Sequence, residues 1–183
     1  MNPLDVINKY YADNEALRKL LIFHSQQVTQ RALAIVRNRP ELNLDAAFVE
    51  QAAMLHDIGI FMTDAPGIHC YGTEPYLMHG YLGAQLMRKE GLERVARVCE
   101  RHTGTGLTPE VIAQRNLPLP QGDYRPETLE EKVICYADKF YSKSHPERVR
   151  SLKDTAKSLE KFGHQGVEIF WSWAQLFEPE KLG

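Results

Sequence analysis

The stretch AAMLHDIGIF, residues 52–61, places a histidine and an aspartate side by side at the end of an apolar run. The run is typical of a buried helix, and most apolar helices end in solvated charges instead. Burying the Asp57 carboxylate without a partner would cost on the order of several kcal/mol. The fold must therefore bring a cation to His56 and Asp57, and this requirement constrains the chain more than any other local pattern.

Four further polar residues lie on apolar helix faces elsewhere in the chain. Helical periodicity dominates the sequence, and the steps from 56 to 79, from 79 to 102 and from 102 to 138 are 23, 23 and 36 residues long. Each step lets one helix finish and another return alongside, so one residue from each helix can converge on the same place. The candidate set is His24, His56, Asp57, His79, His102 and Asp138.

The rest of the chain is predicted to be helical as well. Asp45 is the expected N-cap of the helix that carries the His-Asp pair, and Gly59 is expected to end that helix in a left-handed conformation. No strand pattern or internal repeat is evident, so one all-α domain is predicted over 1–183, with a metal-binding core at about 20–145 and C-terminal helices at about 147–177. The predicted helices cover 14–37, 45–57, 75–90, 92–103, a short stretch after Thr108, 127–143, 147–162 and 164–177.

A metal is the expected partner of the candidate set. A lone histidine on an apolar face is more often a hydrogen-bonded core residue than a ligand, but four histidines with two aspartates shift that balance. Asp57 has a second oxygen that could bridge to another ion, which His79 and His102 would hold, while the rest of the set completes the first site. Imidazole and carboxylate without thiolate suit iron or manganese first, with zinc, nickel, cobalt or magnesium as substitutes.

The charge of such a site predicts an anionic substrate. A site with two divalent ions, two aspartates and a bridging hydroxide has a net charge of about +1. Phosphate is the ligand that such a charge favours. Across the whole chain 22 Lys and Arg residues face 24 Asp and Glu residues, so no basic track for DNA or RNA is expected. The expected partner is a small phosphorylated metabolite such as a nucleotide, and not a nucleic acid.

The remaining composition predicts a cytoplasmic protein. The three cysteines are odd in number and widely spaced, which argues against a disulfide framework or a thiolate zinc site. The N-terminal segment is charged and lacks the apolar core of a signal peptide, and no run approaches the ~20 apolar residues that span a bilayer. A soluble monomer or homodimer without a membrane partner is therefore expected.

The order of the candidate residues resembles the HD-domain superfamily of metal-dependent phosphohydrolases, in its binuclear form with six ligands. The motifs that carry the resemblance follow a histidine one helix upstream, and they are HDIG at 56–59, HGYLGA at 79–84, RHTG at 101–104 and EEKVICYAD at 130–138. The resemblance implies an all-α helical bundle that binds two divalent transition-metal ions, with Asp57 as the bridging ligand.

Within that superfamily the chain is most similar to small stand-alone hydrolases, including the HD-type symmetrical diadenosine tetraphosphate hydrolases. It departs from them by a longer segment, 105–126, between His102 and Asp138. Together with the loop at 63–75, this segment is predicted to wall the metal centre. The substrate of those hydrolases is therefore not carried over to this chain.

The expected function is hydrolysis of a small nucleotide-like phosphoester or phosphoanhydride by a metal-activated hydroxide, with His56 and Asp57 as catalytic residues. Two alternatives stay open: a diiron oxygenase, because some HD proteins that resemble this one use the same six ligands for oxygen chemistry, and a non-catalytic metal-stabilised binding or regulatory module. The residues predicted to contact substrate are His69, Gly104, Arg125 and Lys139. Each also has a structural interpretation, as a solvated loop histidine, a helix C-cap or a surface charge, and Lys143 has the same standing as Arg125.

Overall fold

The computed structural model describes residues 1–183 and confirms the all-α class. One antiparallel pair of two-residue strands, β1 (Asp64–Ala65) and β2 (Cys70–Tyr71), interrupts the helices. Short 3₁₀ turns connect several of the longer elements. The nine α-helices are α1 (Pro3–Tyr10), α2 (Glu15–Asn38), α3 (Ala46–Leu55), α4 (His79–Lys89), α5 (Glu93–Glu100), α6 (Pro109–Gln114), α7 (Leu129–Asp138), α8 (Leu152–Ser158) and α9 (His164–Phe177).

Polar side chains fix the starts of the helices that carry the candidate residues. The Asn14 side chain accepts a hydrogen bond from the backbone N–H of the third residue of α2, and the predicted cap Asp45 does the same for α3. Thr128 and Glu131 form a reciprocal capping box at the start of α7. Such caps satisfy N–H groups that the first turn of a helix leaves unpaired, and each typically stabilises its helix by about 1 kcal/mol.

A hydrophobic core of 36 buried residues extends from α1 to α9. In this core α2 packs against α3 and α7, and α4 packs against α5. The C-terminal helix joins it through Tyr136 of α7, whose ring stacks on Phe170 at 5.5 Å. Glu178, just past α9, accepts hydrogen bonds from the Tyr136 hydroxyl and from Arg31 of α2, both at 2.7 Å. The C-terminal segment therefore ties together α2 and α7, the helices that carry His24 and Asp138.

Three predicted helix ends are wrong. Helix α3 stops at Leu55, so the His-Asp pair lies in the turn that follows, and Gly59 has a φ of −87° and not a left-handed conformation. Helix α7 ends at Asp138 and does not continue to 143. The predicted helix over 147–162 is reduced to α8 because Tyr141 pairs with Val149 as an isolated antiparallel bridge. After α7, pairing of Tyr141 with Val149 overrides helical propensity, whereas after α3 the backbone continues in local turns.

The three cysteines are free and buried. The Cys135 thiol donates a hydrogen bond to the Gly104 carbonyl at 3.3 Å, and burial raises its pKa to about 11. Burial also raises the pKa of Cys70 to about 11. Both therefore remain neutral thiols at pH 7, which agrees with a ligand set without thiolate. None of the helices combines the length and apolarity that crossing a bilayer requires.

Candidate metal centre

The six candidate residues, five of them fully or almost fully buried, lie around one point in the middle of the bundle. Most of them are placed at helix ends, where the chain can turn a side chain toward that point. His24 comes from the middle of α2, the His56-Asp57 pair from the turn after α3, His79 from the first residue of α4, His102 from just past α5, and Asp138 from the last residue of α7.

Four of these residues form a first group. The Nε2 atom of His24 lies 3.2 Å from Oδ2 of Asp57 and 3.0 Å from Oδ1 of Asp138. The Nε2 atom of His56 lies 3.1 Å and 3.2 Å from the same two oxygens. Two imidazole nitrogens and two carboxylate oxygens thus face each other, a donor set typical of a divalent transition-metal site.

A second group shares Asp57 with the first but uses its other oxygen. Oδ1 of Asp57 lies 3.3 Å from Nε2 of His79 and 3.1 Å from Nε2 of His102, and the two nitrogens are 3.0 Å apart. One carboxylate therefore presents Oδ2 to the first group and Oδ1 to the second. This is the arrangement that a carboxylate bridging two ions requires.

Three of the four imidazoles are held in one orientation by the backbone. The Nδ1 atoms of His56, His79 and His102 each lie 2.6–2.7 Å from the carbonyl oxygen three residues earlier in the chain. A carbonyl only accepts, so Nδ1 is the donor in each ring and Nε2 is left facing the centre. Metal-ligating histidines commonly use their other nitrogen in this way. His24 differs, because its buried Nδ1 has no hydrogen-bond partner.

Because the Nε2 atoms face the centre, the second group of ligand atoms is suited to bind a cation. Burial lowers the pKa of His102 to about 4, although the Asp57 carboxylate opposes that effect, so the ring is neutral at pH 7. With Nδ1 protonated, the lone pair on its Nε2 points at Nε2 of His79 and at Oδ1 of Asp57. Acceptors about 3 Å apart repel one another unless positive charge lies between them. The donor set therefore fits a metal ion.

Both aspartates are ionised despite their burial. Burial alone would raise the pKa of Asp57, but His56 and Lys143 hold it well below its usual range. Burial would also raise the pKa of Asp138, but Lys139, His24 and His56 hold it well below its usual range. Burial lowers the pKa of His56, but the two carboxylates raise it to about 10. The first group is therefore a place where the protein stabilises positive charge.

Two lysines that follow the end of α7 turn back onto these carboxylates. The Lys143 ammonium lies 2.7 Å from Oδ2 of Asp57. The Lys139 ammonium lies 2.9 Å from Oδ2 of Asp138 and donates to the His102 carbonyl at 2.6 Å. Burial lowers the pKa of both ammonium groups, but the carboxylates more than offset it and raise both values. Each lysine is therefore charged at the edge of the ligand cluster.

A cavity of about 200 Å³ opens onto the cluster from the α7 side. Gly104 and Lys139, two of the predicted substrate contacts, line it. The other two lie elsewhere on the surface: His69 is exposed with its carbonyl bound to the Asn14 side chain, and Arg125 is exposed and pairs with Asp123 at 2.5 Å. Local partners thus hold both residues away from the cavity.

The prediction that segments 105–126 and 63–75 wall the centre requires correction, because neither contributes to the cavity lining. Segment 105–126 instead folds on itself through a bridge between Leu107 and Tyr124 and buries a small apolar cluster of its own. That cluster packs against Phe162, which does line the cavity. The segment therefore acts on the site only through this neighbour.

The cavity also contains residues that sequence patterns did not single out. Tyr76 stacks on the His79 ring at 4.5 Å, and Arg150 and Lys161 come from the C-terminal part of the chain. From the sequence, a surface ammonium is at least as expected for Lys143 as a contact with phosphate. The end of α7 at Asp138 reverses that conclusion. No pattern within a helix can indicate a residue that reaches the site from an irregular segment.

Protein purified without chelator is expected to carry up to two transition-metal ions per chain, because two ligand groups share one carboxylate. Elemental analysis of the purified and of the reconstituted protein measures this. Iron or manganese is expected first, with zinc or nickel as substitutes. If neither preparation contains metal, the assignment of these six residues as ligands is wrong.

Several known proteins are similar in sequence to this chain. The model of the HD domain family matches residues 21–142. A tRNA (cytidine(56)-2'-O)-methyltransferase of Thermoplasma volcanium is 32% identical over 160 residues, which cover 86% of this chain and 41% of that protein. The protein of the same name from Picrophilus torridus is 33% identical over 136 residues, which cover 74% of this chain and 35% of that protein. An uncharacterized protein of Methanocaldococcus jannaschii is 34% identical over 157 residues, which cover 80% of this chain and 83% of that protein.

The length of the matches differs between these relatives. This chain spans about two fifths of the first methyltransferase and about a third of the second. More than half of each methyltransferase therefore lies outside the similarity. The Methanocaldococcus jannaschii protein, by contrast, is matched over most of its length. No solved structure matches the chain.

Proposed function

This chain belongs to the HD-domain family, and from that premise we propose that it is a metal-dependent phosphohydrolase acting on a small nucleotide-like phosphoester or phosphoanhydride. The observation that carries the proposal is the sharing of Asp57 between two groups of ligand atoms beside a cationic cavity. Ions bound by these groups supply Lewis acidity and activate water for attack on phosphorus. His24, His56 and Asp138 would hold one ion, His79 and His102 the other, and Asp57 both.

The residues that line the cavity favour a phosphoryl group as the ligand. Lys139 and Lys143 present ammonium groups at the same edge of the cluster, and the cavity lining contains no carboxylate besides Asp138. Lysine binds phosphoryl oxygens as a point charge, and charge-assisted hydrogen bonds are strong in a partly dehydrated site. The lysines therefore orient and neutralise the phosphoryl group, and the histidines and aspartates stay available as ligands.

Cavity size limits what can be enclosed. Pockets that enclose drug-sized ligands usually measure roughly 300–1,000 Å³, whereas this cavity measures about 200 Å³. A phosphoryl end fits inside, and the rest of a nucleotide-like substrate extends beyond the mouth. Recognition at the reacting end is therefore directed at phosphate more than at the base.

A second candidate is an activity on tRNA, and the names of two relatives favour it. Those names describe methyl transfer by proteins that are more than twice the length of the shared region. The ligand cluster of this chain supports hydrolysis, so the tRNA-directed version of the proposal is removal of a phosphate from tRNA. The near-neutral charge of the chain favours a small substrate over this alternative.

The proposal predicts phosphate release by the metal-loaded protein from at least one member of a substrate panel. The panel contains p-nitrophenyl phosphate, nucleoside mono-, di- and triphosphates, diadenosine tetraphosphate and 5′-phosphorylated tRNA. Asp138→Ala should lower the rate by on the order of 10²-fold or more, since it removes a ligand and the partner of Lys139. The measurement is phosphate release against time at fixed metal loading.

Each alternative has its own signature in the same samples. Oxygen consumption without phosphate release would favour the oxygenase. Transfer of a labelled methyl group from S-adenosylmethionine to tRNA would favour the activity in the relatives' names. Absence of all three reactions with both ligand groups loaded would favour the non-catalytic module and contradict the proposal.

A further inference from the structure

We infer that the mouth of the cavity is a second anion subsite, built by Arg150 and Lys161, which selects substrates carrying two phosphoryl groups in a chain. The inference rests on the proposed phosphohydrolase function and narrows its substrate class from phosphoesters in general to phosphoanhydrides. In the reaction, water adds across the P–O–P link. One phosphoryl group keeps the new P–O bond, and the other leaves with the bridging oxygen and takes up a proton.

The position of Arg150 is the first step of the argument. Its backbone N–H donates to the Phe140 carbonyl at 2.9 Å, and its Nη1 donates to the Lys139 carbonyl at 3.1 Å. These bonds hold the guanidinium beside the residues that follow α7, with no carboxylate within ion-pair distance. Nε and Nη2 make no hydrogen bond to protein and remain for a ligand. A guanidinium held this way is suited to a phosphate.

Lys161 also lines the cavity, from the 3₁₀ turn Glu160–Phe162 between α8 and α9. Its ammonium forms no ion pair with a carboxylate and lies 5.1 Å from the centroid of the Phe162 ring. The side chain is exposed. Lys161 is therefore a second unpaired cation at the rim.

The balance of charge along the cavity supports a chain of phosphates. The lining holds two largely buried lysines, Lys139 and Lys143, and two more exposed cations, Arg150 and Lys161, and Asp138 is its only carboxylate. Lys139 and Lys143 already contact the two aspartates. One phosphoryl group at the floor would leave the two outer cations without an anionic partner. A second phosphoryl group, one P–O–P link further out, would provide it.

The outer cations also lie beyond the region that the HD domain family model matches, which ends at residue 142. The subsite is therefore a feature of the C-terminal part of this chain added to the shared helical core. The loop from 143 to 151 and the turn before α9 supply it, whereas segment 105–126 contributes only the packing behind Phe162.

The test compares the affinity of the manganese-loaded protein for methylphosphonate and methylenediphosphonate, neither of which has a P–O–P link to hydrolyse. Calorimetry of the unmodified protein should show about 30-fold tighter binding of methylenediphosphonate, as expected from two additional charge-assisted contacts. In the double variant R150Q/K161Q this preference should fall to about threefold or less, while methylphosphonate affinity changes by less than about twofold. Metal content measured after the titration shows that the ions stay bound.

A matched control removes the same charge from the same part of the chain. Arg148 and Lys157 are exposed neighbours of Arg150 and Lys161 that do not line the cavity, so R148Q/K157Q should keep the full preference. If loss of the Arg150 contacts to backbone carbonyls impairs folding, as shown by thermal unfolding, K161Q alone should still lower the preference several-fold and R150K should retain most of it.

The possible outcomes separate the inference from the proposed function. Equal affinity of the unmodified protein for both ligands, or an undiminished preference in R150Q/K161Q, overturns the subsite while phosphate release from the substrate panel still supports the phosphohydrolase. An equal loss in R148Q/K157Q overturns it as well, because general charge would then explain the effect. Failure of both ligands to bind, together with no phosphate release, overturns the proposed function and the subsite together.

Discussion

Asp57→Ala should lower the hydrolysis rate of the metal-reconstituted protein by on the order of 10³-fold or more and weaken metal binding at both ligand groups. The Asp57 carboxylate presents Oδ2 to His24 and His56, and Oδ1 to His79 and His102. Its loss therefore affects both groups at once. Lewis-acid stabilisation supplies several kcal/mol of barrier reduction, and each 1.36 kcal/mol corresponds to tenfold in rate.

His79→Ala is the informative comparison for this variant. His79 contacts only the Oδ1 side of Asp57, so its removal should empty one position and leave the other filled. Metal stoichiometry by elemental analysis should fall to about one ion per chain in His79→Ala and below one in Asp57→Ala. Because Asp57→Ala also leaves the Lys143 ammonium without its partner, Asp57→Asn, which keeps the side-chain volume, separates metal loss from misfolding. Two ions and full activity in His79→Ala would show that His79 is not a required ligand and would contradict the second ligand group as described.

Gly59→Ala should lower the free energy of unfolding by about 3 kcal/mol, more than most single substitutions. A Cβ atom at Gly59 would lie 2.5 Å from the backbone nitrogen of Gly83 and closer still to the His79 carbonyl oxygen. Backbone atoms of α4 cannot rotate away, so the turn that carries the His-Asp pair must separate from α4. Thermal unfolding should show a Tm lower by roughly 6–12 °C for a chain of this length.

The same shift should weaken the second ligand group, because it moves Asp57 away from His79. Gly67→Ala is the matched control: it lies in the loop between β1 and β2, and a Cβ there would meet nothing within 4 Å. Its Tm and metal content should be unchanged. An unchanged Tm in Gly59→Ala would show that α4 and this turn do not pack as tightly as the structure indicates.

Much of the candidate site could be predicted from the sequence because burial of charge is a strong local constraint. The side chains of His24, His79 and His102 fall on the apolar faces of the predicted helices, and a helix period of 3.6 residues makes such positions recognisable without a structure. The division into two groups around Asp57 also followed from the donor chemistry. The all-α class and the cap at Asp45 follow from the same local rules.

The sequence could not show where helices end under tertiary pairing. The bridge between Tyr141 and Val149 and the early end of α7 bring Lys143 and Arg150 to the cavity. A helix continued through 143 would instead have pointed Lys143 to solvent. The expected left-handed conformation of Gly59 was wrong for a similar reason. Glycine is required at this position because the backbone of α4 lies too close for a Cβ atom, and not because of the φ angle.

The sequence by itself determined the class of fold and the residues whose buried charges demand a cation, because periodicity and desolvation act over a few residues. Only the tertiary structure decided which cations surround the cavity and which segments stay away from it. Arg150 and Lys161 approach the centre through irregular backbone, and segment 105–126 leaves it by closing on its own apolar cluster. Both outcomes depend on packing between residues far apart in the chain, which no local pattern encodes.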